Sequence, residues 1–125
     1  MKTDHGTSER PNTYGSPELF EQAKDYALDY MASVRDRRVY PSDDAVAALV
    51  AFDEPLQAEP ADTGEMLKAL HEIGSPATVA QTGGRYFGFV NGGVIPGALA
   101  ARWLSDAWDQ NAALYVMSPV TSVLE

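Results

Sequence analysis

The sequence predicts a mainly α-helical fold, on three observations. Apolar residues recur at helical period over Leu19–Val34, Met66–Ile73 and Leu99–Trp108. Each run opens on a helix-start signal: Ser16-Pro17-Glu18, Asp62 with Glu65 three residues on, or Pro96. Each closes on a breaker, at Pro41, at Gly74-Ser75-Pro76 and at Asp109-Gln110-Asn111 respectively.

Size and charge narrow the function classes. A chain of 125 residues with 45% hydrophobic and 10% aromatic content has globular composition. The net charge of -9 argues against nucleic-acid binding, which needs a concentrated basic surface. Its basic cluster, Arg35, Arg37 and Arg38, is interleaved with Asp36 and reads as cations at a helix C-terminus, where they favour the macrodipole. Without cysteine there is no disulfide framework, thiolate metal site or thiol nucleophile. The polar N-terminus lacks the apolar segment of a signal peptide, and no run approaches the roughly 20 apolar residues that span a bilayer. A soluble, cytoplasmic protein with no membrane partner is the expectation.

Taken in order, residues 1–15 read as a disordered tail, polar and without periodicity. A helical arm is expected over residues 16–76. Its first helix carries Leu19, Phe20, Ala23, Tyr26, Ala27, Tyr30, Met31 and Val34 on one stripe, with Glu21, Lys24, Asp25 and Asp29 opposite. Ser42-Asp43-Asp44 caps a shorter helix from Ala45 to about Phe52, broken by Asp53-Glu54-Pro55-Leu56. Gln57 to Ala61 is a linker. Asp62 and Glu65 have the spacing of a capping box for the helix bearing Met66, Leu67, Leu70 and Ile73.

A second region is expected over residues 77–125. Ala77 to Gln81 and Tyr86 to Val90 read as extended, separated by Gly83-Gly84. Asn91-Gly92 has the form of a hairpin turn, because both residues tolerate positive φ. An alternative is that Gly92 and Gly93 admit a ligand against the N-terminus of the Pro96 helix, an anion-binding arrangement. That helix places Leu99, Ala100, Trp103, Leu104, Ala107 and Trp108 on its buried side, as core or subunit interface. Ser118-Pro119 opens a last stripe, Val120, Val123 and Leu124, which stops after about two turns. A natural domain seldom ends there, so the chain is expected to be a portion of a longer protein.

No residue here makes a strong catalytic signal alone. His71 reads as a half-buried surface histidine, with no second ligand at metal spacing. Asp106 and Asp109 read as a solvated helix face rather than paired catalytic carboxylates. Ser118 reads as a helix cap, since it lacks the G-x-S-x-G context and a histidine partner.

Tyr86-Phe87-Gly88-Phe89-Val90-Asn91-Gly92-Gly93, then Pro96 and the helix ending Trp108-Asp109-Gln110-Asn111, then Ser118-Pro119 and Leu124-Glu125, resembles the N-terminal part of the pyridoxal-phosphate-dependent decarboxylases. This is group II, which holds aromatic-L-amino-acid and glutamate decarboxylases, and the similarity is to its bacterial branch. Val39-Tyr40-Pro41 and Asp53-Glu54-Pro55-Leu56 agree in order and spacing. The resemblance implies a helical arm followed by the start of the large domain of a fold-type I pyridoxal-phosphate-dependent transferase-like α/β enzyme. It implies an amino-acid substrate, pyridoxal 5'-phosphate in the full-length enzyme, and a homodimer whose arm packs on the partner subunit. Phe89, Asn91 and Gly92 would line the substrate cleft, and Asn111, Ala113 and Tyr115 would reach toward the partner's active site. Gly92 stands where the aromatic decarboxylases carry a polar side chain, and Asn91 where they carry proline, so their specificity is not implied.

The chemistry of such an enzyme needs a lysine for the cofactor, an acid on its ring nitrogen and a phosphate site. The resemblance places all of these downstream. Lys2 lies in the tail, Lys24 and Lys68 fall on polar helix faces, and none follows the histidine that marks the family's cofactor lysine. The expectation is therefore the N-terminal part of a carboxy-lyase, inactive and without cofactor as the isolated chain. The alternative is a non-catalytic acidic helical interaction or dimerisation protein.

Overall fold

The computed structural model describes residues 15–91, 93–111 and 113–125. The predicted tail lies outside these apart from Gly15, whose φ of +88° admits the chain to the first helix in a conformation that favours glycine. The chain is mainly helical, and no strand occurs among the described residues. The helices are α1 (Pro17–Ser33), α2 (Asp43–Ala48), α3 (Thr63–Ala69), α4 (Pro96–Trp108) and α5 (Pro119–Leu124). They fall into two compact units, divided between Tyr86 and Phe87.

In the first unit, α1 runs from Pro17 until its C-cap at Val34. Ser16 does not cap it through its side chain. The hydroxyl turns to the Glu18 carboxyl, which its own backbone amide and Ser16 together hold below the usual glutamate value. Ser42 caps α2 by accepting from the Ala45 N–H at 3.2 Å, and a 3-10 turn, Leu49–Phe52, carries the chain to the predicted break. Asp62 caps α3, its Oδ1 accepting from the Glu65 N–H at 2.9 Å. Glu65 lies 3.8 Å from Lys68 in an ion pair. Helical structure then continues through a π turn, Leu70–Gly74, and a 3-10 turn, Ser75–Ala77. Pro76 does not stop it at once because proline is tolerated in the first positions of the new turn.

The axis of this unit is the contact between α1 and α3. Gln22 Nε2 donates to the Gly64 carbonyl at 3.2 Å and to the Tyr26 hydroxyl at 3.1 Å. Tyr26 and His71 stack with ring centroids 4.0 Å apart. Arg37, just beyond α1, lies 4.5 Å over the Tyr30 ring and donates from Nη2 to both the carbonyl and the hydroxyl of Ser75, each at 2.9 Å. The segment expected to be extended after Pro76 makes turns instead. Ala80 N–H donates once, to Val39 O at 2.9 Å, and no ladder follows. Pro41 and Ala80 are buried where these segments meet.

In the second unit α4 begins at Pro96 and ends on Asp109, whose φ of 48° and ψ of 51° are left-handed. Asp109 N–H closes the helix on Ser105 O at 3.0 Å, as a short polar residue can in that region. Ser118 is fully buried; its Oγ accepts from the Thr121 N–H at 3.4 Å and meets Thr121 Oγ1 at 2.7 Å. This is the predicted cap.

The apolar stripes are uncovered to a degree the sequence does not suggest. None of the five helices contains a buried residue. Trp103 and Trp108, expected on a buried side, are 42% and 53% exposed. Within their unit the other helix has 6 residues against 13 in α4. At about 1.5 Å per residue it is less than half as long, too short to cover that face.

Candidate functional site

The loop leading to α4 holds the first group of predicted site residues. Phe89 and Val90 are consecutive left-handed residues, with φ of 51° and 55°. This region is strained for any side chain and most of all for a β-branched one. A cost of about 1–2 kcal/mol each is expected. Both side chains stand fully out in solvent. Asn91 N–H turns back to Gly88 O at 3.4 Å, a long bond that closes the loop. Phe89 and Asn91 thus share one turn. Gly92 lies outside the described residues. No strands flank the turn, so the Asn91-Gly92 hairpin expected from sequence is not formed by the described residues around it.

Asn111, Ala113 and Tyr115 form a second local grouping. Asn111 Oδ1 accepts from the Ala113 N–H at 3.0 Å, an Asx turn that uses the side chain to set the backbone. Tyr115 follows in the next turn and is 66% exposed.

The other sequence candidates resolve into structural roles. His71 Nε2 lies 3.8 Å from Asp29 Oδ2 while its ring stacks on Tyr26. No group of three or more metal-ligating side chains occurs among the described residues. Asp106 pairs with Arg102 at 3.6 Å on the solvent side of α4, and Asp109 is the helix terminator. The first turn of α4 has no side-chain cap among the described residues, and a side chain at Gly97 would meet open space.

Pyridoxal phosphate does not fit the lysines described. Lys24 is ion-paired with Glu21 and, at 3.4 Å, with Asp25. Its Glu21 hydrogen bond, above all, holds the ammonium above the usual lysine value, opposite to what an amine nucleophile needs. Lys68 is exposed and paired with Glu65. Lys2 lies outside the described residues.

The first unit also carries an apolar groove of about 670 Å³ lined by Phe52, Leu56, Met66, Leu70 and Ile73, with Glu59 at its edge. Sequence reading missed one further grouping, because its members are 48 residues apart: Arg85 donates to the carbonyl oxygen of Arg37 and so joins the 35–38 turn. The Gly83-Gly84 pair before Arg85 was the available signal of a close approach.

No helix among the described residues is long and apolar enough to cross a membrane. Comparison with family models, curated proteins and solved structures finds no match to this chain.

Proposed function

We propose that this chain is the N-terminal part of a pyridoxal-phosphate-dependent amino-acid decarboxylase, supplying protein-covered interface and one wall of a substrate cleft rather than the reacting groups. The observation that carries the reading is the uncovered apolar face of α4, where Trp103, Leu104 and Trp108 are each about half exposed. Faces of this kind rarely stay open on a monomer and mark contact with other protein. The strained, exposed Phe89-Val90 turn supports the same reading. Backbone strain gathers at ligand-facing segments, and this turn lies in the stretch that resembles the decarboxylase cleft loop. Pyridoxal phosphate would be held by residues that this chain does not contain.

The second reading is a non-catalytic acidic helical protein that uses the same faces for dimerisation. It rests on the same exposed α4 face, Trp103, Leu104 and Trp108, and needs no reacting group. Reading the coding DNA past Glu125 separates the two. An open frame carrying a His-Lys pair, whose product releases carbon dioxide from an amino acid only with added pyridoxal phosphate, supports the decarboxylase. A stop codon at that point favours the interaction protein.

A further inference from the structure

The chain carries twice as many acids as bases, 18 against 9, so each cation has carboxylates to choose from. Three of the described cations take one: Lys24 pairs with Glu21 and Asp25, Lys68 with Glu65, and Arg102 with Asp106. Arg35, Arg37, Arg38 and Arg85 take none among the described residues, and these four lie together. Asp36, in the same turn, pairs with none of them. The C-terminal end of α1 offsets part of their mutual repulsion, and a bound anion would offset more.

The arginines divide their work. Arg37 is consumed structurally, over Tyr30 and on Ser75, and its carbonyl accepts from the Arg85 guanidinium. That bond fixes Arg85 beside the end of α1. Gly83 allows the approach: a Cβ there would lie 3.3 Å from both Ala80 O and Val34 O, so the turn meets the helix end backbone to backbone. Between them opens a cleft of about 470 Å³ lined by Val34, Arg35, Thr82, Gly83, Gly84 and Arg85.

Several donors among the lining residues are left without a partner among the described residues. The Arg35 guanidinium, the Thr82 hydroxyl and the Gly84 N–H make no hydrogen bond with another described residue. Gly84 has open space where a side chain would stand, so a ligand can reach its backbone. Two guanidinium groups, a hydroxyl and a backbone N–H around a small open space form the donor set that tetrahedral oxyanions take, with planar forks matched to paired oxygens.

We infer that Arg35, Thr82, Gly84 and Arg85 form a binding site for a doubly charged oxyanion, a phosphate or a phosphoryl group on a small molecule. The site lies in the first unit and does not depend on the decarboxylase reading.

Inorganic phosphate is the probe. It is titrated into the full chain at constant ionic strength, with amide chemical shifts recorded, and sodium chloride and acetate are run in parallel. Saturable shifts at Thr82, Gly84 and Arg85 with phosphate alone are expected. R35Q should weaken apparent affinity at least fivefold, R35K should restore part of it, and K68Q should leave it unchanged. Arg35 makes no hydrogen bond or ion pair with another described residue, and a thermal melt of R35Q beside wild type separates loss of the site from loss of folding. Equal shifts with chloride or acetate would reduce the site to an adventitious ion only. Unsaturable shifts, or R35Q binding like wild type, would overturn the proposal.

Discussion

Tyr26 and His71 stack almost parallel, 5° between ring planes and 4.0 Å between centroids, and so tie α1 to the helical segment after α3. This is a contact between residues 45 positions apart in a unit with very little buried side chain. It should therefore carry a visible share of the stability. His71→Ala should cost about 1 kcal/mol, the usual range for an aromatic pair beyond its area. Tyr26→Phe, which keeps the ring and loses only the hydroxyl bonded to Gln22, should cost less. Urea unfolding of both variants and a double-mutant cycle check this, and a coupling near zero would mean the rings merely lie side by side.

Arg37 should not be replaceable by lysine. Its guanidinium meets the Tyr30 face and both oxygens of Ser75 at once, a geometry that an ammonium cannot reproduce. We expect Arg37→Lys to cost about 1–2 kcal/mol, the sum of a lost charge-assisted hydrogen bond and a weakened cation–π contact. The same unfolding measurement reads it, with protection of the Thr78 and Ala80 amides from hydrogen exchange as a local report.

Strain at Val90 gives a stabilising substitution. Val90→Gly removes the side chain that a φ of 55° disfavours and should raise stability by up to about 1 kcal/mol, after the glycine's own chain-entropy cost. The thermal midpoint is the readout. If the turn serves a ligand, the same change should loosen it, seen as lowered order parameters at Phe89 and Asn91.

Glu18 sets an acid limb. Its folded value lies below the ordinary one, through its own backbone amide first and the Ser16 hydroxyl second. Its contribution is thus present above the unfolded glutamate value and is lost as pH falls through the lower folded value. Helicity of α1 followed by amide shifts should fall over that acid range, and Glu18→Gln should lie below wild type at neutral pH while matching it at the acid end.

The local parts of this fold were legible in the sequence. Ser42, Asp62 and Ser118 each cap as their spacing to the next helix indicates, because a cap depends only on residues three apart. Asp109 ends α4 for an equally local reason. What sequence did not disclose depends on distant partners. The stretch around Ala80, expected to be extended, makes turns and one bond to distant Val39 rather than pairing as a strand. The continuation through a π turn, Leu70–Gly74, and past Gly74 through a 3-10 turn is a change of helical period that the apolar stripe does not encode. Of the site, Phe89 and Asn91 fall on one strained turn, yet nothing in their types announced a left-handed Phe-Val pair. Three of the four grouped arginines, Arg35, Arg37 and Arg38, were visible, and the fourth, Arg85, came from a turn 48 residues after Arg37.

If the exposed apolar faces of this chain are covered by protein, as proposed above, the isolated chain should self-associate. Sedimentation velocity of the 125-residue chain over a range of concentrations, paired with a thermal melt, tests it most directly. We expect concentration-dependent self-association and a broad melt, with Trp103→Ser and Trp108→Ser shifting the distribution toward monomer. A monodisperse monomer at all concentrations with a sharp, cooperative melt would contradict it.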